Sequence, residues 1–272
     1  MNSIIDFHTH AFPDKLADRA IQALLEEGQK KHDVKAHLDG KISSLLESMD
    51  RNNIEKSVIC SIATRPSQFE PILEWSKQIR SERIIPFPSI HPDAPNGPEQ
   101  VRQVKAEGFK GIKFHPYYQD FDIDDRRLFP IYEELQRQQL TTVMHTGFDL
   151  AFERTRRCDP VKIVSVLDAF PGLRLVTTHL GAWEDWEEVE KHMSGKKIYM
   201  EISYSLDCMA KETARRIIMN HPPDHILFGS DSPWEDQGRA ISLLKDLGLG
   251  EDMERMVLKE NAERLLHLSD TN

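Results

Sequence analysis

Cysteine is scarce in this sequence: Cys60, Cys158 and Cys208 are the only three in 272 residues. They are far apart and form no Cys-x-x-Cys pair, which argues against a disulfide framework or a cysteine-built zinc site and for a reducing compartment. Long apolar runs are missing too, so no membrane-spanning helix is expected. The first residues lack a basic stretch followed by an apolar one, so no secretory signal is expected and the cytoplasm is the expected location. Positive charge is in deficit, with 35 Lys and Arg against 45 Asp and Glu and a formal charge of −10. A nucleic-acid or anionic membrane surface needs a clustered positive face, so neither partner is expected. Internal repeats, low-complexity tracts and linkers are absent as well, and residues 1–272 read as a single domain.

What the sequence does have is alternation. Short apolar runs at residues 3–8, 56–62, 84–90, 109–115, 140–146, 174–179, 197–203 and 225–231 read as strands. Between and after them, amphipathic stretches read as helices over 42–52, 71–81, 98–106, 128–138, 161–170, 238–247, 252–259 and 261–268. In the first of these, Ile42, Leu45, Leu46 and Met49 recur at helical spacing. Strand–helix alternation of this kind marks a parallel sheet, and eight strands in a chain of this length predict a closed (β/α)8 barrel. The polar insertion 11–40 is expected to form a helix and a loop over the barrel mouth, with 117–127 as a second mouth loop.

The chemistry gathers at the strand ends. A (β/α)8 barrel carries its active site at the C-terminal ends of its strands. Those ends read His8-Thr9-His10, His115, His145, His179 and Asp231. His8 and His10 are two apart, so an extended backbone points them the same way. A divalent ion needs several imidazole or carboxylate donors within about 2.0–2.2 Å. The His-x-His pair supplies two, and His145 and Asp231 can supply two more across the barrel axis. Spacing alone does not rank His145 above His179 as a ligand. His115, Tyr117, Trp234 and Arg154 are expected to contact substrate, with Arg154 opening an arginine-rich loop suited to a carboxylate. Glu201, inside the seventh strand, is either an inward partner of the metal site or the mate of a core lysine.

The segments Ile5-Asp6-Phe7-His8-Thr9-His10, Gly111-Ile112-Lys113-Phe114-His115-Pro116, Thr178-His179-Leu180-Gly181 and Phe228-Gly229-Ser230-Asp231-Ser232-Pro233-Trp234 resemble the amidohydrolase superfamily. The nearest branch is the amidohydrolase-related one that includes aminocarboxymuconate semialdehyde decarboxylases. Asn261-Ala262-Glu263-Arg264-Leu265-Leu266 is similar too, so the resemblance spans the chain. It implies one divalent metal, zinc first and manganese or another ion as alternatives, on His8, His10, His145 and Asp231. It also implies catalytic roles for Asp231 and His179. Some members hold two metals bridged by a carboxylated lysine, and Lys113 occupies that strand. A homodimer is an expectation of the resemblance alone.

The leading expectation is hydrolysis of an amide, ester or lactone bond of a small, carboxylated molecule by a metal-activated water. The alternative is a metal-dependent decarboxylase using the same residues. The second alternative is a barrel that senses a metal or a carboxylate without turnover, because a fold does not fix a function.

Overall fold

A computed structural model describes residues 3–30 and 32–268. Eight parallel strands follow one another in chain order: β1 (Ile4–Thr9), β2 (Ile54–Cys60), β3 (Ile84–Phe87), β4 (Gly111–Phe114), β5 (Thr141–Met144), β6 (Arg174–Thr177), β7 (Tyr199–Glu201) and β8 (Ile226–Leu227). Strands β1–β3 and β4–β8 pair continuously within each group. Two narrower seams join the groups. At one, Ser89 bridges Lys113 and the Lys113 amide donates to Pro88 O at 2.9 Å. At the other, the Phe7 amide donates to Phe228 O at 2.8 Å, the Asp231 amide to His8 O at 2.8 Å, and the His10 amide to Ser232 O at 2.6 Å. The sheet therefore closes on itself, as the strand count predicts.

Helices cover the outside. In chain order they are α1 (Asp14–Gly28), α2 (Ile42–Arg51), α3 (Phe69–Ile79), α4 (Gly97–Ala106), α5 (Phe129–Gln138), α6 (Pro160–Ala169), α7 (Trp186–His192), α8 (Lys211–Met219), α9 (Gln237–Asp246), α10 (Glu251–Arg255) and α11 (Asn261–Leu266). Their starts follow local chemistry. Asp159 accepts from the amides of Val161 at 3.1 Å and Lys162 at 3.3 Å, and Pro160 takes the first helical position of α6, where a missing N–H costs nothing.

Alternation along each strand builds two cores. Ile5, Phe7, Val58, Phe87, Val143, Val176 and Leu227 fill the barrel interior, and Ala262, Leu265 and Leu266 of α11 plug its lower end. The opposite faces, with Ile112, Met144, Leu175 and Met200, pack against the helices. Every residue of β1 is buried, as a strand covered on both faces requires.

Three differences from the sequence reading have physical causes. The eighth strand is two residues long rather than seven, because the chain from Phe228 to Ser232 bonds to β1 and to Val257 instead of continuing the ladder. Helix α8 was not expected, since only Ala214, Ile217 and Ile218 bury along a charged nine-residue stretch. The expected break between 252–259 and 261–268 is absent: a π-helical turn, Met256–Glu260, joins α10 to α11.

Candidate metal centre and active site

The site begins with a change of register. Ile5 and Phe7 face the interior, so strict alternation would turn His8 outward. The pairing of β1 with β2 instead slips between Asp6 and Thr9, and a bulge of this kind re-aims the side chains beyond it. His8 and His10 consequently meet, Nε2 to Nε2, at 3.1 Å. Asp231 arrives from the far side of the β8–β1 seam with a left-handed backbone, φ 66°. Its Oδ1 lies 3.1 Å from His10 Nε2 and 3.5 Å from His8 Nε2. Asp6 holds that seam in place. Its carboxylate accepts from the Ser230 amide at 2.9 Å, the Ser230 hydroxyl at 2.6 Å and Gln237 Nε2 at 2.8 Å.

The outer ring nitrogens fix the tautomers. His8 Nδ1 donates to Glu201 Oε1 at 2.9 Å, and His10 Nδ1 donates to the Cys60 carbonyl at 2.8 Å. Each Nε2 therefore presents a lone pair. Burial, reinforced by Lys113 and the neighbouring imidazoles, holds His8 well below its usual pKa and keeps it neutral. Lys113 Nζ reaches His8 Nε2 at 3.1 Å, but no lysine or arginine pairs with Asp231 among the described residues, so the His10 lone pair and the carboxylate oxygen repel unless a further cation lies among them. That donor set, two imidazoles and one carboxylate within 4.8 Å of one another, fits a divalent metal.

Glu201 is the inward partner of the site. Besides His8 Nδ1 it accepts from the His179 amide at 3.2 Å and from Ser203 through its amide at 2.7 Å and its hydroxyl at 2.8 Å. Burial pushes its carboxyl up to about 8, opposed by the Ser203 hydrogen bonds, so a neighbouring cation would draw it back to the ionised form. Glycine at 229 leaves room for this contact, because a Cβ there would stand 2.3 Å from Glu201 Oε2 and 3.0 Å from His8 Cβ.

His145, the fourth expected ligand, does not join His8, His10 and Asp231; its donor atoms group with His115 and Asp149. Its Nε2 donates to Phe148 O at 3.0 Å, leaving Nδ1 as a lone pair 3.1 Å from His179 Nε2. His179 donates through Nδ1 to Ser203 O at 2.9 Å, so here too two lone pairs face each other. The His8 and His179 rings lie 5.8 Å apart, which brings the two pairs of histidines to one floor. Lys113 is fully buried on that floor, with Nζ 3.1 Å from His8 Nε2, and makes no ion pair among the described residues. His115 stacks on His145 at 4.1 Å and 11°. Asp149 closes this side, with Oδ2 3.4 Å from His115 Nε2 and 3.6 Å from His145 Nε2.

Above the floor is a cavity of about 450 Å³, walled by Phe12, Ile62, Trp75, Phe148 and Trp183. Trp234, Tyr118 and His115 line it as well. Tyr117 does not; its hydroxyl donates to Thr155 O, with Gly147 O 3.2 Å away as the weaker alternative acceptor. Arg154 also stays outside, paired with Glu184 and laid over the Phe148 ring at 3.9 Å. Sequence reasoning missed Asp149, Ser203 and Asp6. For Glu201 the signal was present: it keeps the parity of Tyr199, which packs against the barrel interior.

The profile of the amidohydrolase family matches residues 5–268. This chain belongs to the amidohydrolase family. Among curated proteins none matches the sequence. Solved structures of similar fold include the dihydroxybenzoic acid decarboxylase of Polaromonas sp. JS666 with bound manganese and the inhibitor 2-nitroresorcinol. It is 14% identical with a TM-score of 0.73, over 100% of this chain and 98% of that one. They also include the 2,6-dihydroxybenzoate decarboxylase from Rhizobium, 17% identical with a TM-score of 0.68 over 99% and 100% of the two chains. A third is a putative 2-pyrone-4,6-dicarboxylic acid hydrolase from Pseudomonas putida, 16% identical with a TM-score of 0.69 over 99% of each chain. At these identities the likeness establishes the (β/α)8 fold of this amidohydrolase. Family membership, the manganese in one relative and the donor set together support a divalent metal. No described helix is long and apolar enough to cross a membrane.

Proposed function

We propose that this amidohydrolase is a metal-dependent decarboxylase of a small carboxylic acid with a flat, largely apolar body. The observation that carries this reading is the contrast within one cavity: metal-type donors and Lys113 on the floor, aromatic and aliphatic walls above. Hydrolysis, the leading expectation of the sequence, takes second place because the decarboxylase chemistry of the first two relatives suits such walls better.

His8, His10 and Asp231 would hold the ion, zinc or manganese. When bound, it supplies positive charge that draws in a carboxylate and stabilises charge developing in the transition state. Lys113 adds positive charge on the same floor, so the acid group of the substrate faces downward. Phe12, Trp75, Phe148 and Trp183 hold the body of the substrate and exclude water. When the carbon–carboxylate bond breaks, its electron pair stays on carbon and CO2 leaves. A proton first taken up from solvent, on Asp231 Oδ2 or on the His179 Nε2 lone pair, then passes to that carbon, which leaves the residue as it began.

Metal-loaded protein incubated with hydroxybenzoic acids should release CO2, and Asp231→Asn should slow release by on the order of 100-fold or more. Lactone hydrolysis without CO2 release from any acid would overturn the reading in favour of hydrolysis. Tight binding of acids with no turnover of either class would favour a sensor.

A further inference from the structure

Asp149 is the one charged residue of the cavity that the proposed mechanism leaves unused. It lies in the loop after β5, its side chain is 12% exposed, and it lines the floor opposite the metal-type donors. One oxygen is settled, since Oδ1 accepts from the Ala151 amide at 2.8 Å. The other is not. The imidazoles nearest Oδ2 are at 3.4 and 3.6 Å, beyond good hydrogen-bond range. The closer competitor for the His145 proton is the Phe148 carbonyl at 3.0 Å. No lysine or arginine pairs with Asp149 among the described residues. The adjacent His115 Nδ1 is buried with no hydrogen-bond partner among the described residues, and a proton on His115 Nε2 reaches Oδ2 only over 3.4 Å, so Oδ2 lacks a close donor.

A second metal does not relieve that shortage. His115, His145 and Asp149 have donor atoms within 4.8 Å of one another, but the two rings are stacked almost parallel at 4.1 Å. His145 Nε2 also carries the proton given to Phe148 O. A carboxylate oxygen facing a mostly apolar cavity without a donor is costly, and a ligand that brings a donor removes the cost.

We propose that Asp149 is a specificity residue that accepts a hydrogen bond from a hydroxyl group on the substrate. The preferred substrate class is then a hydroxylated carboxylic acid, its acid group towards Lys113 and its hydroxyl towards Asp149. The inference rests on the reading of the cavity as a carboxylic-acid site, but it concerns the opposite corner and can fail separately. A site built to accept a hydroxyl discriminates against a ligand that lacks one, because the acceptor is then left unpaired.

The test is calorimetric binding to the manganese-loaded protein, which needs no turnover. The probes are benzoate, its 2-, 3- and 4-hydroxy isomers, the matching methoxybenzoates, and resorcinol. At least one hydroxy isomer should bind on the order of tenfold more tightly than benzoate and than its own methoxy ether. Asp149→Ala should erase that advantage while binding benzoate within a few-fold of wild type and keeping its metal. Asp149→Asn, which keeps an acceptor oxygen, should retain part of it. If resorcinol binds in an Asp149-dependent way and benzoate does not bind, the carboxylic-acid reading falls and the role of Asp149 stands. If no hydroxyl improves binding, if the improvement survives in Asp149→Ala, or if no probe binds, the inference is overturned.

Discussion

Glu201 Oε1 lies 2.9 Å from His8 Nδ1, and this contact decides which face of the imidazole carries the proton. With Nδ1 committed to the carboxylate, Nε2 is left as the donor atom towards His10 and Asp231. Carboxylates behind metal-binding histidines orient the ring and raise its basicity, and their loss weakens metal binding about 10- to 100-fold. Glu201→Gln should therefore retain the fold by circular dichroism and lose metal affinity by that factor in a chelator competition. Affinity equal to wild type would show that Glu201 only fills space.

Acid should weaken the metal-free protein. Burial holds His8, His115 and His145 well below 6.5 and lowers His179 and His221 as well. In the unfolded chain each titrates near 6.5, so between the two values the unfolded state binds more protons and stability is lost as the pH drops. Two buried carboxyls act the other way: burial pushes Asp6 up to about 6 and Glu201 up to about 8. Their contributions are present at low pH and are lost as pH rises through the folded values. From pH 6.5 down to 4.5 the five histidines outweigh the two carboxyls, at up to about 1.4 kcal/mol per pH unit for each net proton. Guanidinium midpoints at pH 6.5 and 5.0 measure this, and a midpoint that rises on acidification would contradict it.

Asn261 should matter for stability rather than chemistry. Its side-chain amide donates to Pro223 O at 2.8 Å and Ile226 O at 2.7 Å, pinning α11 beneath β8. Asn261→Ala strands two carbonyls and should cost roughly 2–4 kcal/mol in thermal or chemical unfolding. A change under about 0.5 kcal/mol, the range of an ordinary surface substitution, would refute that account.

The barrel was legible because each strand announces itself as a short apolar run, and the floor because five of those runs end at or beside His8, His115, His145, His179 and Asp231. Strand ends point to one face of a barrel whatever the details between them. The bulge after Asp6 was not legible, since nothing in Ile5-Asp6-Phe7-His8 shows the register slip that turns His8 inward. Asp149 was hidden for a related reason: it sits in an irregular loop, where no periodicity aims a side chain. Arg154 illustrates the converse. A loop arginine suited to a carboxylate met Glu184 and the Phe148 ring on the rim instead of reaching into the cavity.

His8, His10 and Asp231 are expected to hold a divalent ion. Elemental analysis of the purified protein, wild type beside the His8→Ala, His10→Ala double variant, tests it most directly. The expected result is about one zinc or manganese per chain in the wild type, lost in the variant with secondary structure intact. No bound metal in either protein after incubation with zinc or manganese would contradict it.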